Sequence, residues 1–291
     1  FAPIDFEDPA DPARVRVDAL LTLLRDTEAV IIDLRTSPGG APSMVGYLAS
    51  AFIGGDEGLF NVFHSREGTQ SEAPAVPYPH ARFSQPLYVL TSGRTGSAAE
   101  AFAYTVQAAK RAIVVGEASA GAANPGGFLE VGGGFRVFVS VGSPRHPLTG
   151  GNWEGDGVKP EQAVPAAEAL EAAQRLALRG LLAQAEGGAP RVDQQWALEA
   201  LDAPAITLSS AELATLAGRY QGLRVMVEDG RLRVVRGERG GGLLQPIGVD
   251  TFGVVGDSQV RYRFVRDAAQ RVEAMELNAA DGRRQRFARE G

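Results

Sequence analysis

Hydrophobic residues recur first at helical spacing and then at strand spacing. Val17, Leu20, Leu21 and Leu24 stand at i, i+3, i+4 and i+7, with Asp11 able to cap and Pro12 suited to the first helical position. The run AVIIDLR, residues 29–35, is short and β-branched, as in a buried strand. Val45, Leu48 and Phe52 resume the helical spacing beyond TSPGG. A strand is expected around 59–64 and another at PLYVL, residues 86–90. A helix over 97–110 and a strand over 111–116 follow. This alternation predicts parallel βαβ units.

The pattern then changes. FLEVGGGFRVFVSV, residues 128–141, reads as two strands about a glycine turn. Residues 143–161 are rich in turn formers and predict a long loop. Residues 166–186 predict a helix, GGAP at 187–190 a break, and 192–201 a further helix. Past Pro204 the period becomes two. Ser209 to Glu212, SSAE, has capping-box spacing. Val225 and Val227 are answered by Leu232 and Val234 across Asp229-Gly230, a hairpin signal. The expected organisation is therefore an α/β domain over 1–203 and a small antiparallel β domain over 204–291. The second domain carries no histidine, and its charges alternate as on a solvated sheet face.

Composition narrows the function. The 291 residues carry a net charge of -6, unlike a basic nucleic-acid surface. No apolar run approaches the roughly 20 residues of a membrane helix. There are no cysteines, which excludes disulfides, thiolate metal sites and a cysteine nucleophile. His64, His80 and His146 are scattered without metal-ligand spacing, so neither metal nor cofactor is expected.

Three stretches gather glycine and polar residues at strand ends, where open α/β sheets build sites. In DLRTSPGG, Gly39 and Gly40 free the backbone to approach a ligand. In TSGRTGSAAEAFAY, Ser97 stands where a strand meets a helix, and a helix N-terminus favours developing negative charge. Ala99 stands where a G-x-S-x-G elbow needs glycine. In GGNWEGDGVKPE, Glu154 sits in a glycine-rich loop beside Trp153. On residue types alone, a capping box from Ser97 to Glu100 is the simpler account of the serine. An ordinary loop is the simpler account of the glycines and of Glu154.

Four motifs in order alter that balance. VIIDLRTSPGG, YVLTSGRTGSAAEAFAY, RAIVVGEASAGAANPGGF and the stretch ending GGNWEGDGVKPE together resemble the tail-specific, C-terminal-processing serine protease family. The likeness is greatest to the branch of the tricorn core and the modules of interphotoreceptor retinoid-binding protein, and it covers about residues 20–165. The resemblance implies a crotonase/ClpP-like core and a serine hydrolase acting on peptide bonds of a polypeptide or peptide substrate. Ser97 falls on the family's nucleophile. The N–H of Ala98 and of Gly39 or Gly40 fall on its oxyanion hole. One branch of the family takes its base from a lysine, but Ala122 stands at that place. The other uses a Ser-His-Ser-Glu tetrad, whose E-x-x-G-V-x-P loop is matched from Glu154 to Pro160.

In that branch the histidine precedes the DLR strand, and this chain has none before His64. Phe1 reads as mid-domain text, so the expectation is a piece of a longer protein whose catalytic histidine lies elsewhere. Trp153 and Phe128 are candidates for a substrate groove, with core packing the competing role. The alternative reading is a catalytically inactive family member that binds peptides or apolar ligands. Family habit implies an extracytoplasmic location, periplasmic or secreted. The β domain resembles a barrel-like module appended to some bacterial hydrolases.

Overall fold

Asp11 opens the first helix as its residue type predicts: Oδ1 accepts from Ala13 N–H at 2.9 Å and Arg14 N–H at 2.8 Å. In the computed structural model, which describes residues 1–185, 191–237 and 239–291, that helix is α1 (Pro12–Leu24). Ala13, Val17 and Leu21 face the core, whereas Leu20, though in the apolar stripe, is half exposed. The chain divides into two units, Phe1–Ala177 and Leu178–Gly291.

The first unit is α/β. Its helices and strands run α1, β1 (Val30–Asp33), α2 (Pro42–Ile53), β2 (Val62–Ser65), β3 (Gly68–Ser71), β4 (Leu87–Thr91), α3 (Ala98–Ala108), β5 (Ala112–Gly116), β6 (Gly126–Gly132), β7 (Phe135–Ser140), β8 (Gly142–Arg145) and β9 (Gln162–Ala163). Strands β1, β4, β5 and β9 form one parallel sheet in that order. Helix α2 lies in the crossover from β1 to β4, and α3 in that from β4 to β5, so βαβ units carry the fold. Val45, Phe52, Val89, Phe102 and Val114 meet in the core between sheet and helices. Helix α4 (Ala169–Gln184) begins in this unit, where Ala169, Ala173 and Ala177 cover Tyr88, Leu90 and Val115.

Three local expectations shift. The strand placed at 59–64 is a 3-10 turn, Glu57–Leu59, followed by β2, because Asp56 caps the N–H of Gly58. The long loop from 143 begins instead as β8, which pairs with β2. Gln162–Ala163 adds a strand too short to carry a period-two signal. The expected break at GGAP lies outside the described residues.

The second unit holds α5 (Val192–Asp202), α6 (Ser210–Leu216) and an antiparallel meander: β10 (Gly218–Tyr220), β11 (Leu223–Glu228), β12 (Arg231–Arg236), β13 (Arg239–Gly248), β14 (Thr251–Val254), β15 (Asp257–Arg266), β16 (Val272–Ala279) and β17 (Arg284–Ala288). The Asp229-Gly230 hairpin has the register read from the alternation, Val225 opposite Val234 and Val227 opposite Leu232. The meander closes on itself. Gln221 N–H donates to Ala288 O at 3.0 Å and Glu290 N–H to Arg219 O at 2.9 Å. Closure of eight strands removes the free edges and makes an up-and-down barrel. Tyr220, Leu232, Leu244, Phe252, Phe264 and Met275 fill its interior. Ser209 and Glu212 form the expected capping box of α6. Among the described residues, no helix is long and apolar enough to cross a membrane.

One polar cluster is buried beside α3. Asn61 Nδ2 donates to Glu72 Oε2 at 2.8 Å and to Thr105 Oγ1 at 3.0 Å. Glu72 Oε1 has no partner among the described residues. Burial pushes the Glu72 carboxyl from 4.5 up to about 7, with the Asn61 bond acting the other way. A raised folded pKa means that its contribution is fully present below the unfolded value of 4.5 and is lost as pH rises through about 7. Glu72→Gln should therefore gain stability over the wild type between pH 5 and pH 8, by about 1–3 kcal/mol. Urea melts of both proteins across that range measure it, and parallel pH profiles would contradict it.

Candidate active site

The C-terminal ends of β1, β4 and β5 lead into three loops that interlock. Thr95, fully buried, donates from Oγ1 to Leu34 O at 2.8 Å and accepts from Ser92 N–H at 3.0 Å. Ser92 Oγ donates to Arg35 O at 2.7 Å, and Gly96 N–H donates to Ser37 O at 3.0 Å. Arg35 is itself held by both oxygens of Asp33, at 2.9 and 2.7 Å, and by Ala166 O at 2.7 Å. Small polar side chains thus satisfy the backbone of the SPGG turn and of the turn before α3 at once.

Ser97 stands on that junction, exposed, with φ 52° and ψ −122°. This left-handed conformation is one a non-glycine residue adopts at a cost of about 1–3 kcal/mol. The capping box is recognisable, but only one half is a hydrogen bond: Ser97 N–H donates to Glu100 Oε2 at 2.7 Å. The hydroxyl makes no capping bond to the helix. It stays free for other chemistry, which the sequence pattern alone does not reveal.

Gly39 touches this serine. A Cβ on Gly39 would stand 2.6 Å from Ser97 Cβ and 3.0 Å from Ala98 N, and its φ of 113° already demands glycine. Gly40 faces the other way, with a Cβ there meeting Phe1 O at 1.9 Å. Phe1 is tied to this turn through Ala41 N–H at 2.8 Å and Gly39 O at 3.2 Å. Among the described residues, neither Ala98 N–H nor Gly39 N–H finds a protein acceptor.

Glu100, fully buried on the first turn of α3, organises the rest. Oε1 accepts from Ser119 Oγ and Gly121 N–H, both at 2.6 Å. Oε2 accepts from Ser97 N–H at 2.7 Å and Ala122 N–H at 2.9 Å. Ser119 Oγ in turn accepts from Val158 N–H at 2.7 Å. Spacing along the chain marks Glu100 as a capping partner and gives no sign of Ser119, since the residues they join are far apart in the chain.

Glu154 grips the same loop further on. Its Oε2 accepts from Ala123 and Asn124 N–H, both at 2.8 Å, and Gly155 N–H donates to Gly121 O at 2.9 Å. Two carboxylates, Glu100 and Glu154, therefore hold consecutive amides of residues 121–124. Ala122 stands between them, and its N–H is committed to Glu100.

The remaining candidates fall at different depths. Trp153 is buried and packs on Tyr104, ring centroids 5.1 Å apart. Phe128 lies exposed on β6. His146 is buried, with Nε2 against Leu59 O and Nδ1 accepting from Leu148 N–H, both at 3.2 Å. Burial holds its pKa below the ordinary imidazole value, and both ring nitrogens are occupied, so it is a core histidine. His80 packs edge-on against Tyr78. His64 borders a cleft of about 410 Å³ with Pro42 and Pro125, the residues next to the glycine turn and to the Glu154-bound amides.

Comparison with known proteins agrees with the motif order. The family description "Peptidase family S41" matches residues 5–164, more than half of the chain. The chain belongs to peptidase family S41. A relative, the chloroplastic carboxyl-terminal-processing peptidase 3 of Arabidopsis thaliana, is 32% identical over 117 residues, 40% of this chain and 22% of that protein. The chain thus spans about a fifth of that relative's length. Among solved structures, the photosystem II D1 C-terminal processing protease is 19% identical, with TM-score 0.41, covering 56% of this chain and 40% of that one. Mature CPAF is 17% identical, with TM-score 0.44, covering 57% and 45% respectively.

Two stability measurements test this local geometry. Ser97→Ala should leave unfolding free energy within about 0.5 kcal/mol of wild type, since no cap bond is lost, whereas Ser97→Gly should exceed wild type by relieving the positive φ. A purely capping serine would instead lose about 1 kcal/mol on Ser97→Ala and gain nothing as glycine. Glu100→Gln turns an amide NH2 toward N–H or O–H donors and should cost about 1.5–3 kcal/mol in urea unfolding. An unchanged Glu100→Gln protein would rule out the buried clamp.

Proposed function

We propose that this chain carries the catalytic core of a serine-type peptidase with Ser97 as nucleophile. The observation that carries the reading is the exposed, uncapped Ser97 hydroxyl in a strained turn, with Gly39 packed against it. Strained nucleophile turns between strand and helix serve to present a hydroxyl above a sheet end. Membership of family S41 supports the same chemistry. The crotonase/ClpP-like description of the core belongs to this proposal as well.

In the proposed reaction a histidine nitrogen takes the Ser97 Oγ proton as Oγ attacks the peptide carbonyl carbon. The N–H of Ala98 and of Gly39, with Gly40 the neighbouring candidate, hold the oxygen as it gains charge. The C–N bond then breaks, the histidine returns the proton to the departing amine, and water releases the acyl group. Glu154 orients and charge-balances the histidine through the tetrad. Ala122 at the lysine position favours this scheme over a Ser-Lys pair, and His146 is committed to the core. The histidine is proposed to come from outside these 291 residues. Phe128 and the cleft beside His64 are proposed to meet a peptide substrate, with Trp153 supporting the loop from beneath. An extracytoplasmic location completes the reading.

A fluorophosphonate probe tests it, applied to the full-length protein. Labelling of the wild type that disappears in a normally folded Ser97→Ala variant is the expected result. No labelling above Ser97→Ala would reject the catalytic reading. Peptide or apolar-ligand binding in that unlabelled protein would then support the non-catalytic alternative.

A further inference from the structure

The hairpin of β6 and β7 is a separate two-stranded sheet, every residue of which is exposed. None of its side chains joins a core cluster. An isolated two-stranded ribbon is marginal in water, and an uncovered run of β-branched and aromatic residues is an aggregation hazard. This one is nonetheless strongly apolar, and its two faces differ. Leu129 pairs with Val137, and Val139 and Phe135 share their face by the period-two rule. Their exposures run from 40% at Val139 to 72% at Phe135. The opposite face carries Phe128 against Phe138, edge to face at 5.4 Å, with Arg136 over the Phe128 ring and near Glu130.

We propose that the Leu129–Val137 face is an interface with a second copy of this chain, the two hairpins stacking about a twofold axis. The face is uncharged, so it offers nothing to select an acidic or basic partner, while an identical apolar ribbon is its shape and chemical complement. Scaled by their exposures, its side chains offer on the order of 500 Å² per copy, so a pair buries on the order of 1,000 Å², where specific interfaces begin. A membrane partner would be favoured by flanking basic residues, but the hairpin has one Arg and one Glu and the chain is acidic. The opposite face already covers part of its aromatic surface with its own Arg136. The prediction is a reversible dimer of micromolar strength, with the Glu130–Arg136 face outward.

The chain has no cysteine, which makes a direct test available. Val137→Cys should trap a disulfide-linked dimer under mild oxidation, while Phe138→Cys, on the outward face, should not. In sedimentation equilibrium the full-length wild-type protein should show a monomer–dimer equilibrium, and Leu129→Thr with Val137→Thr should weaken it at least about tenfold. Both substitutions keep strand formers and lie outside the cores, so melting temperature should hold and separate this from misfolding. A wild type that stays monomeric would overturn the proposal. So would a dimer that persists in the double variant, or one trapped equally by Phe138→Cys. Recruitment of monomeric chain to vesicles or apolar peptides through this face would assign it to those partners instead and equally overturn the dimer.

Discussion

A buried carboxylate with four donors and, among the described residues, no paired cation is the constraint on which the site depends. Glu100 loses all contact with water at the start of α3, which is costly unless every lone-pair direction is met. Two backbone N–H groups of the 119–122 loop, one serine hydroxyl and the N–H of Ser97 meet it, and the helix N-terminus adds its field. The same bonds that solvate Glu100 fix the turn holding Ser97. The strained φ of that residue persists because the surroundings leave the backbone no looser alternative. Glu154 then extends the hold to residues 123 and 124, so two loops distant in sequence share one rigid segment.

Closure has a comparable role in the second unit. A meander of short strands would expose two edges, but the bonds of Arg219 and Gln221 to residues 288–290 join first strand to last. The interior is then sealed by Tyr220, whose hydroxyl reaches Leu216 O at 2.7 Å and so is buried without an unmet donor. The exposed β6–β7 hairpin of the first unit has neither device. It neither closes nor packs, and that contrast makes its apolar face informative.

Much of this was legible in the residues. Period-two alternation set the register of the Asp229-Gly230 hairpin, because one face of each strand must be buried. Short apolar runs marked β1, β4 and β5, and the SSAE spacing marked α6. Other features left no trace. Strands β8 and β9 are defined by partners, not by pattern. The capping-box spacing at Ser97 was real, yet its forward bond is missing, because the backbone there turns left-handed instead of extended. Sequence spacing specifies which residues are near along the chain, and not the φ and ψ that aim a hydroxyl.

The alternation of helix and strand, the glycines that a tight turn requires, and the order of motifs that marks family S41 are all written in the residues themselves. Those follow from local sterics and from the period with which apolar residues meet a core. It took the folded chain to bring Gly39, not Gly40, against Ser97 and to give Glu100 four donors. The folded chain also buries Trp153 and His146 while Phe128 stays exposed. Each of these depends on which loops meet at the ends of the parallel strands, and burial and hydrogen-bond completion across long chain separations settle that meeting.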